Sequence, residues 1–75
     1  MRTLNELKPG EIAIVDCINI DDQPYHDRLN GVGLRCLDQI KCLHSMFGMK
    51  HLAVGMGFTT EFALREITCK EILIR

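Results

Sequence analysis

Residues 28–34 read Arg28-Leu29-Asn30-Gly31-Val32-Gly33-Leu34 and have the form of a short helix that a glycine ends. Glycine has no Cβ and reaches positive φ at low cost, so Gly33 suits the first position beyond a helix. If Gly33 takes that position in a Schellman motif, Leu34 folds back onto Leu29 and their side chains make the apolar contact of the motif. The stretch therefore predicts a helix that ends here and is tied to the strands that follow.

The start of the same helix is marked by acidic residues and a proline. Asp21 or Asp22 can accept hydrogen bonds from the free N–H groups of a first turn, and Pro24 fits there because its missing N–H needs no partner. We predict a short helix over Pro24–Val32. Three residues should lie on its inner side: Tyr25, Leu29 and Val32. Since Gly31 weakens the helix by about 1 kcal/mol relative to alanine, packing must hold it in place.

Most of the remaining chain alternates apolar and polar residues as β-strands do. Among the inward residues we expect Met56, which follows Leu52 and Val54 on one face, and Phe62, which shares a face with Leu64. Short strands with one small helix favour a mainly β fold, a small closed or half-closed β-barrel of about five strands. The predicted strands are Glu11–Ile18, Asp38–His44, Lys50–Met56, Glu61–Arg65 and Ile72–Ile74.

The register of the central hairpin follows from its buried faces. Ile40 and Cys42 share a side with Leu52 only if Cys42 opposes Leu52 or Val54, because a slip of one residue sends a whole set of side chains to the wrong face. The tightest consistent loop is Ser45–Met49, which places His44 opposite Lys50. His51 should then point away from His44.

Length and charge exclude several classes of protein. A chain of 75 residues predicts one domain over residues 1–75. The formal charge is −1, and the lysines and arginines are scattered singly. Nucleic-acid binding needs clustered positive charge and, for single strands, stacking aromatics. With one Tyr, three Phe and no Trp in the chain, nucleic acid is not an expected partner.

The cysteines are expected to be thiols in a reducing compartment. The N-terminal segment, residues 1–6, turns polar too soon for a secretory signal. No apolar stretch approaches the roughly 18 residues of a membrane span, so direct membrane insertion is not expected. Without a route out of the cell, four cysteines favour thiols over disulfides, and we predict a cytoplasmic protein.

A series of short motifs runs through the chain in a fixed order, namely Leu4-x-x-Leu7-x-x-Gly10, Ala13-x-Val15-x-x-Ile18, Arg28-Leu29, Gly33-Leu34, Ile40-x-Cys42, Ala63-Leu64-Arg65 and Ile72-x-Ile74. In this order and spacing they resemble the bacterial ferrous iron transport protein A family over essentially the whole sequence. The resemblance implies an SH3-like β-barrel with a helix inserted after the first strand. It also implies a small cytoplasmic accessory protein that supports a membrane ferrous-iron transporter bearing a GTPase domain.

The sequence departs from the family pattern in several places, one of which is a slightly long spacing from Gly57 to Ala63. Cys36-Leu37 stands where such proteins usually have Pro-Gly, and the central loop reads Ser45-Met46-Phe47-Gly48-Met49 where theirs is built on Pro and Gly. Near the end, Thr68-Cys69 replaces the usual Glu-Ala. We expect the fold to survive these changes and any surface used for partners to be affected by them.

Cys42 and His44 are the one local pair with the character of metal ligands. Alternate residues of a strand share a face, so this thiolate and imidazole could meet one transition-metal ion such as Fe²⁺ or Zn²⁺. The alternative is structural, with Cys42 and Cys69 packed as small buried hydrophobes. Because the predicted register turns His51 away and His26 lies on the helix, no third ligand is expected and the ion would be held weakly.

Catalysis has no support in the residues. There is no Ser-His-Asp order, no paired carboxylate setting and no nucleophile with an obvious base. Gly55-Met56-Gly57 lacks the Lys-Ser/Thr of a phosphate-binding loop. We therefore expect a protein that acts by binding and not an enzyme.

The loop Ser45–Met49 is the most informative candidate for a partner surface, because apolar side chains occupy a place where hairpin loops are normally polar. It could fold over an open barrel end and complete the small core, or it could be an adaptable docking knob. The helix with Leu34 is the second surface, and Arg28 could belong to a charged rim. The predicted partner-binding residues are Tyr25, Arg28, Leu34, Met46, Phe47 and Met49.

Two other functions remain open. One is a regulatory barrel similar to that appended to iron-dependent repressors, which contacts a DNA-binding domain. The other is a carrier of transition-metal ions, which predicts stoichiometric binding of iron or zinc by the isolated protein. A homo-oligomer could also form if the strand Ile72–Ile74 lies at an exposed edge of the barrel.

Overall fold

The computed structural model describes residues 2–75. Met1, which belongs to the segment in which no secretory signal is predicted, lies outside the described residues. Six strands and two helices follow one another along the chain: β1 (Arg2–Thr3), β2 (Ile12–Ile18), α1 (Gln23–Gly31), β3 (Gln39–Met46), β4 (Met49–Val54), β5 (Thr60–Arg65), α2 (Glu66–Cys69) and β6 (Ile72–Ile74). Single 3-10 turns lie at Leu4–Glu6 and Met56–Phe58.

The strands form one antiparallel sheet in the order β1-β6-β2-β3-β4-β5. Strand β2 pairs with β6 along one part and with β3 along another, and its pairing with β6 is interrupted by a register shift between Val15 and Cys17. Such irregularities bend a strand, which lets the sheet wrap around a core. The mainly β class predicted from the sequence is confirmed, with β1, α2 and the 3-10 turns as additional elements.

Helix α1 ends as its sequence predicts. Val32 is the last residue with helical dihedral angles, and Gly33 follows at φ +104°. The Leu34 N–H donates to the Leu29 carbonyl at 3.0 Å, and the Gly33 N–H donates to the Asn30 carbonyl at 3.1 Å. These are the two hydrogen bonds of a Schellman motif. Leu29 and Leu34 are both buried in the same core cluster.

The beginning of α1 resolves the choice between two acidic caps. Asp22 is the N-cap, and its Oδ1 accepts from the Tyr25 N–H at 3.1 Å, while Pro24 lies in the first turn. Of the three residues predicted on the inner side, Leu29 is buried and Tyr25 is half-buried against the core. The prediction for Val32 is wrong, because the chain leaves the helix there and the side chain is exposed.

The core fills the inside of the curved sheet with residues from every part of the chain. The alternation predicted for β3 and β5 is confirmed: Ile40, Cys42 and Leu64 are buried, and Phe62 packs partly against them. The prediction that Met56 faces the core is wrong, since β4 ends at Val54 and Met56, in the 3-10 turn that follows, is exposed to solvent.

The strand Ile72–Ile74 is not an edge. It pairs with β1 on one side and β2 on the other, so its backbone groups are already used in the sheet. The prediction that this strand could pair between copies is therefore wrong in its premise. Strand β1 is too short to show the alternation by which the other strands were predicted, and it pairs with the edge of β6 that was expected to be exposed.

Candidate partner-binding surface

The β3–β4 hairpin turns over two residues, Phe47 and Gly48. Met46 opposes Met49, and the two turn residues have φ of +54° and +74°. Positive φ at both central positions is the signature of a type I′ turn, which matches the twist of the strands it joins and favours Asn-Gly. Here phenylalanine occupies the position that asparagine or glycine normally takes.

Phe47 is exposed over 95% of its surface, and Met46 over 51%. The interpretation of this loop as a lid that completes the core is therefore wrong for both residues. A bulky side chain at positive φ costs roughly 1–2 kcal/mol in backbone strain, and its exposure leaves an aromatic ring in water. Since neither property stabilises the barrel, they indicate a role outside the fold.

The turn is held firmly against the rest of the molecule. The Glu66 N–H donates to the Gly48 carbonyl at 2.9 Å, which ties the turn to the start of α2. The next residue, Ile67, is exposed over 67% of its surface. We call Met46, Phe47 and Ile67 the tip patch, an exposed apolar surface at this end of the hairpin.

A buried lysine supports the same hairpin from the inside. Lys50 is 4% exposed, and its Nζ donates to the Leu7 carbonyl at 2.9 Å and to the Ser45 Oγ at 3.1 Å. A buried ammonium is tolerated when its hydrogen bonds are satisfied. Through these bonds Lys50 links the N-terminal segment to both strands next to the turn.

A second exposed apolar site lies at the opposite end of β3. The Asp38 N–H donates to the Arg35 carbonyl at 3.2 Å, and Leu37 has φ +74°. A turn with positive φ at its third residue alone is type II, which requires glycine there. Leu37, 65% exposed, and Met56, 95% exposed, line a groove of about 410 Å³ together with Asp38, Gln39 and Gly55.

Neither Leu37 nor Met56 was among the predicted site residues. A signal for Leu37 was present, because the resembled family usually has Pro-Gly where this chain has Cys36-Leu37. Proline and glycine are the residues that a type II turn prefers at its two central positions. Met56 carried no such signal, since its alternation with Val54 made it look like a core residue.

The predicted helix surface is divided by the structure. Leu34 is fully buried, so it belongs to the core and its prediction as a partner contact is wrong. Arg28 is exposed, and its guanidinium carbon lies 5.4 Å from the centre of the half-buried Tyr25 ring. A cation–π contact at an exposed site contributes about 0.5–1 kcal/mol, and it holds Arg28 in place on the surface.

The predicted pairing of Cys42 with His44 fails at a β-bulge. Cys42 opposes Leu52 as predicted, but the register then shifts, and His44 opposes His51 instead of Lys50. Because the bulge adds one residue, Cys42 faces the core while His44 is exposed on the outer side. The two side chains are not brought together, and the inference that His51 points away from His44 is wrong.

Two of the four thiols are buried among apolar side chains. Burial raises the pKa of the Cys42 thiol, and it raises the pKa of the Cys69 thiol to about 11. Burial thus disfavours the thiolate, the form that acts as a nucleophile and as a metal ligand. Their prediction as small buried hydrophobes is confirmed, whereas Cys17 and Cys36 are exposed.

Among residues 2–75 there is no group of three or more His, Cys, Asp and Glu side chains that could hold a metal ion. No helix in the same range is long and apolar enough to cross a membrane.

A family model described as the FeoA domain matches residues 2–75. No curated protein matches the chain in sequence. A crystal structure described as an iron uptake regulatory protein (FeoA) superimposes with a TM-score of 0.82 at 25% identity, over 99% of this chain and 95% of that one.

Other similar structures share the fold at lower identity. FeoA of Stenotrophomonas maltophilia in complex with zinc has a TM-score of 0.80 at 21% identity, over 100% of this chain and 91% of that one. It is described as an SH3 domain protein with a suggested role as a bacterial ferrous iron transport activating factor. A manganese-dependent transcriptional repressor has a TM-score of 0.84 at 17% identity, over 99% of this chain and 40% of that one. The SH3-like barrel implied by the resemblance is thereby confirmed.

Proposed function

This chain belongs to the FeoA family of small accessory domains of ferrous iron transport, and from that premise we propose that it supports iron uptake by binding the cytoplasmic, GTPase-bearing part of a membrane ferrous-iron transporter. The protein would act by contact and not by catalysis, as one domain over residues 1–75, in the cytoplasm. The observation that carries the proposal is Phe47, an aromatic side chain held in solvent on a strained turn.

The tip patch has the composition of a contact that supplies binding energy. Aromatic residues are enriched among the few side chains that dominate interfaces, and burying a phenylalanine side chain contributes about 1.5–3 kcal/mol. The flexible thioether of Met46 can adapt to an irregular apolar surface. Ile67 adds branched apolar area beside them.

The fixed conformation of the turn favours binding further. Ordering a loop at an interface costs free energy on association, and a loop that is already ordered avoids most of that cost. The hydrogen bond from Glu66 to Gly48 and the ladder pair Met46–Met49 hold the turn before any partner arrives. Met49, the ladder partner of Met46, is half-buried and is the least exposed of the predicted contacts in this loop.

Tyr25 and Arg28 provide the second predicted contact. The stacked pair presents a positive charge on α1 whose position is restrained by the aromatic ring. A charge at the rim of an interface acts mainly on the rate of association and its salt dependence. We expect Arg28→Gln to slow binding modestly and to reduce its sensitivity to salt.

The substitution Phe47→Asn tests the tip patch directly. Asparagine adopts positive φ more readily than phenylalanine, and Asn-Gly is the preferred type I′ pair. The variant should therefore be as stable as the parent or more stable by about 0.5–1 kcal/mol. Its affinity for the purified cytoplasmic domain of the transporter should fall by roughly tenfold or more, measured by biolayer interferometry with and without guanine nucleotide.

Met56→Ser is the matched control, because Met56 is as exposed as Phe47 but lies at the opposite end of the hairpin. Binding should be unchanged in that variant. If Phe47→Asn binds like the parent while Met56→Ser does not, the groove beside Leu37 is the contact and the tip patch is not. If the parent itself does not bind the domain, the proposed partner is wrong.

A further inference from the structure

The bulge in β3 brings two imidazoles together on the outer face of the sheet. His44 and His51 are directly opposed across β3 and β4, with ring centroids 4.3 Å apart and ring planes at 18° to each other. His44 is exposed and His51 is half-buried. No motif in the sequence announces this pair, because the unshifted register would have placed Lys50 opposite His44.

The surroundings leave the two rings accessible. On β5 the residue opposite His51 is Ala63, whose small side chain does not cover the imidazole. Ala53 occupies the same face of β4 two residues further on, where it separates Lys41 from Glu61. Alanine therefore occupies two of the positions next to the pair on this face.

We propose that His44 and His51 form a two-ligand, exchangeable site for a borderline divalent transition-metal ion such as Zn²⁺. Neutral imidazole is a preferred ligand for this class of ion, whereas Ca²⁺ and Mg²⁺ prefer oxygen ligands. The site is independent of the transporter contact proposed above, and it replaces the Cys42–His44 pair that the sequence predicted.

The geometry of the pair is within reach of coordination. Zn–N bonds are about 2.0–2.1 Å long, so in the tetrahedral geometry usual for zinc two donor nitrogens that share one ion lie roughly 3.3 Å apart. The rings are stacked with centroids 4.3 Å apart and nearly parallel planes, so their in-plane lone pairs do not converge, and one ring must turn before both nitrogens can face one ion. Because His44 is exposed, its ring can rotate without displacing a neighbour.

Two protein ligands leave the remaining coordination positions of the ion to water. Such a site binds more weakly than a closed structural zinc site with four protein ligands. It also releases its ion readily, and its open positions can accept a ligand from a second molecule. The two imidazoles thus form a transient site and not a structural one.

The test is a Zn²⁺ titration followed through the imidazole resonances in long-range ¹H–¹⁵N NMR spectra. His44 and His51 should shift together with a stoichiometry of one ion per chain. His26, which lies on α1 with its Nδ1 3.3 Å from the Asn30 side-chain amide, should not shift. Ca²⁺ at the same concentrations should leave all three histidines unchanged.

Single substitutions identify the ligands. His44→Gln and His51→Gln should each weaken the apparent Zn²⁺ affinity roughly tenfold or more, whereas His26→Gln should not change it. If His51→Gln unfolds, His44→Gln, on an exposed side chain, decides alone. The proposal is overturned if Zn²⁺ shifts neither ring, or if binding survives His44→Gln. It is also overturned if binding disappears in Cys17→Ser/Cys36→Ser, which removes the two exposed thiols.

Discussion

The end of helix α1 and the turn of the β3–β4 hairpin both depend on a residue at positive φ, and they meet that demand in opposite ways. At the helix end the residue is Gly33, which has no Cβ to strain. At the hairpin the residue is Phe47, for which the same conformation is costly and whose ring lies in solvent. The first turn follows local rules and builds the core, whereas the second breaks them and presents a side chain to the surroundings.

The turn before β3 resembles the β3–β4 hairpin turn and not the end of α1, because a bulky, exposed residue takes the positive φ. Leu37 occupies the glycine position of a type II turn and is mostly exposed, only three residues after the fully buried Leu34. Local consistency is expected where a sequence serves only its fold, and departures from it are expected at functional sites. By this criterion the surfaces at the two ends of β3 are candidate sites of function.

Leu34→Ala should have the largest effect on stability. The side chain is fully buried and closes the Schellman motif against Leu29, so its truncation should lower the free energy of unfolding by about 2–5 kcal/mol. Leu37→Ala removes the same atoms from an exposed site and should change it by no more than about 0.5 kcal/mol. Urea denaturation followed by circular dichroism measures both. Similar losses in the free energy of unfolding would contradict the difference in burial between Leu34 and Leu37.

Gly33→Ala should come next, at about 2–4 kcal/mol of destabilisation. Alanine at φ +104° is strained, and its Cβ would lie 3.0 Å from the Cγ2 of Val54, closer than packed atoms normally approach. Gly31→Ala is the matched control, since Gly31 is helical and a Cβ there meets nothing within 4 Å. That variant should be more stable by about 0.4–1 kcal/mol.

The two sources of strain at Gly33 can be separated with Val54→Ala. If the contact with Val54 matters, Gly33→Ala/Val54→Ala should be less destabilised than the sum of the two single variants. Additive losses would assign the whole effect of Gly33→Ala to its backbone conformation. A stable Gly33→Ala would contradict the Schellman assignment itself.

Much of the fold could be predicted from the sequence because its determinants are local. The Schellman end of α1, the cap at Asp22 or its neighbour, and the alternation that buries Ile40 and Cys42 each depend on residues a few positions apart. Alternation on two strands restricted the partner of Cys42 to Leu52 or Val54, and the tightest loop selected Leu52. These features obey rules that a single stretch of chain can express.

What could not be predicted depends on contacts between distant residues. With the bulge after Cys42, Ser45 opposes Lys50, and the buried Lys50 ammonium donates to the Ser45 hydroxyl and to the carbonyl of Leu7. No pattern within β3 predicts the bulge. The register beyond Cys42, and with it the His44–His51 pair, was therefore predicted wrongly. Phe47 could be selected as a candidate contact because an apolar loop is visible in the sequence, and it is exposed. Leu34, also apolar, could not be told apart from it because its burial depends on tertiary packing.

The last substitution has a small expected effect on stability. It tests the comparison of the turns directly, because it replaces a strained residue with one that fits the same backbone conformation. Leu37→Gly places the residue that a type II turn prefers at φ +74°. Relief of the strained backbone, about 1–2 kcal/mol, outweighs the extra entropy that glycine loses on folding, about 0.5–1 kcal/mol. The variant should therefore be more stable than the parent by about 0.5–1 kcal/mol.

Leu37→Ala distinguishes the backbone from the side chain at this position, since alanine removes the exposed atoms and keeps the strain. Leu37→Gly should exceed Leu37→Ala in stability by the cost of the positive φ less the extra entropy that glycine loses on folding. If the two variants are equally stable, the positive φ costs no more than the entropy that glycine loses on folding, and the strain inferred at Leu37 is contradicted. If glycine stabilises and alanine does not, the leucine is retained at a measurable loss of stability, and the groove beside Met56 is the second surface, after the tip patch, at which to look for a binding partner.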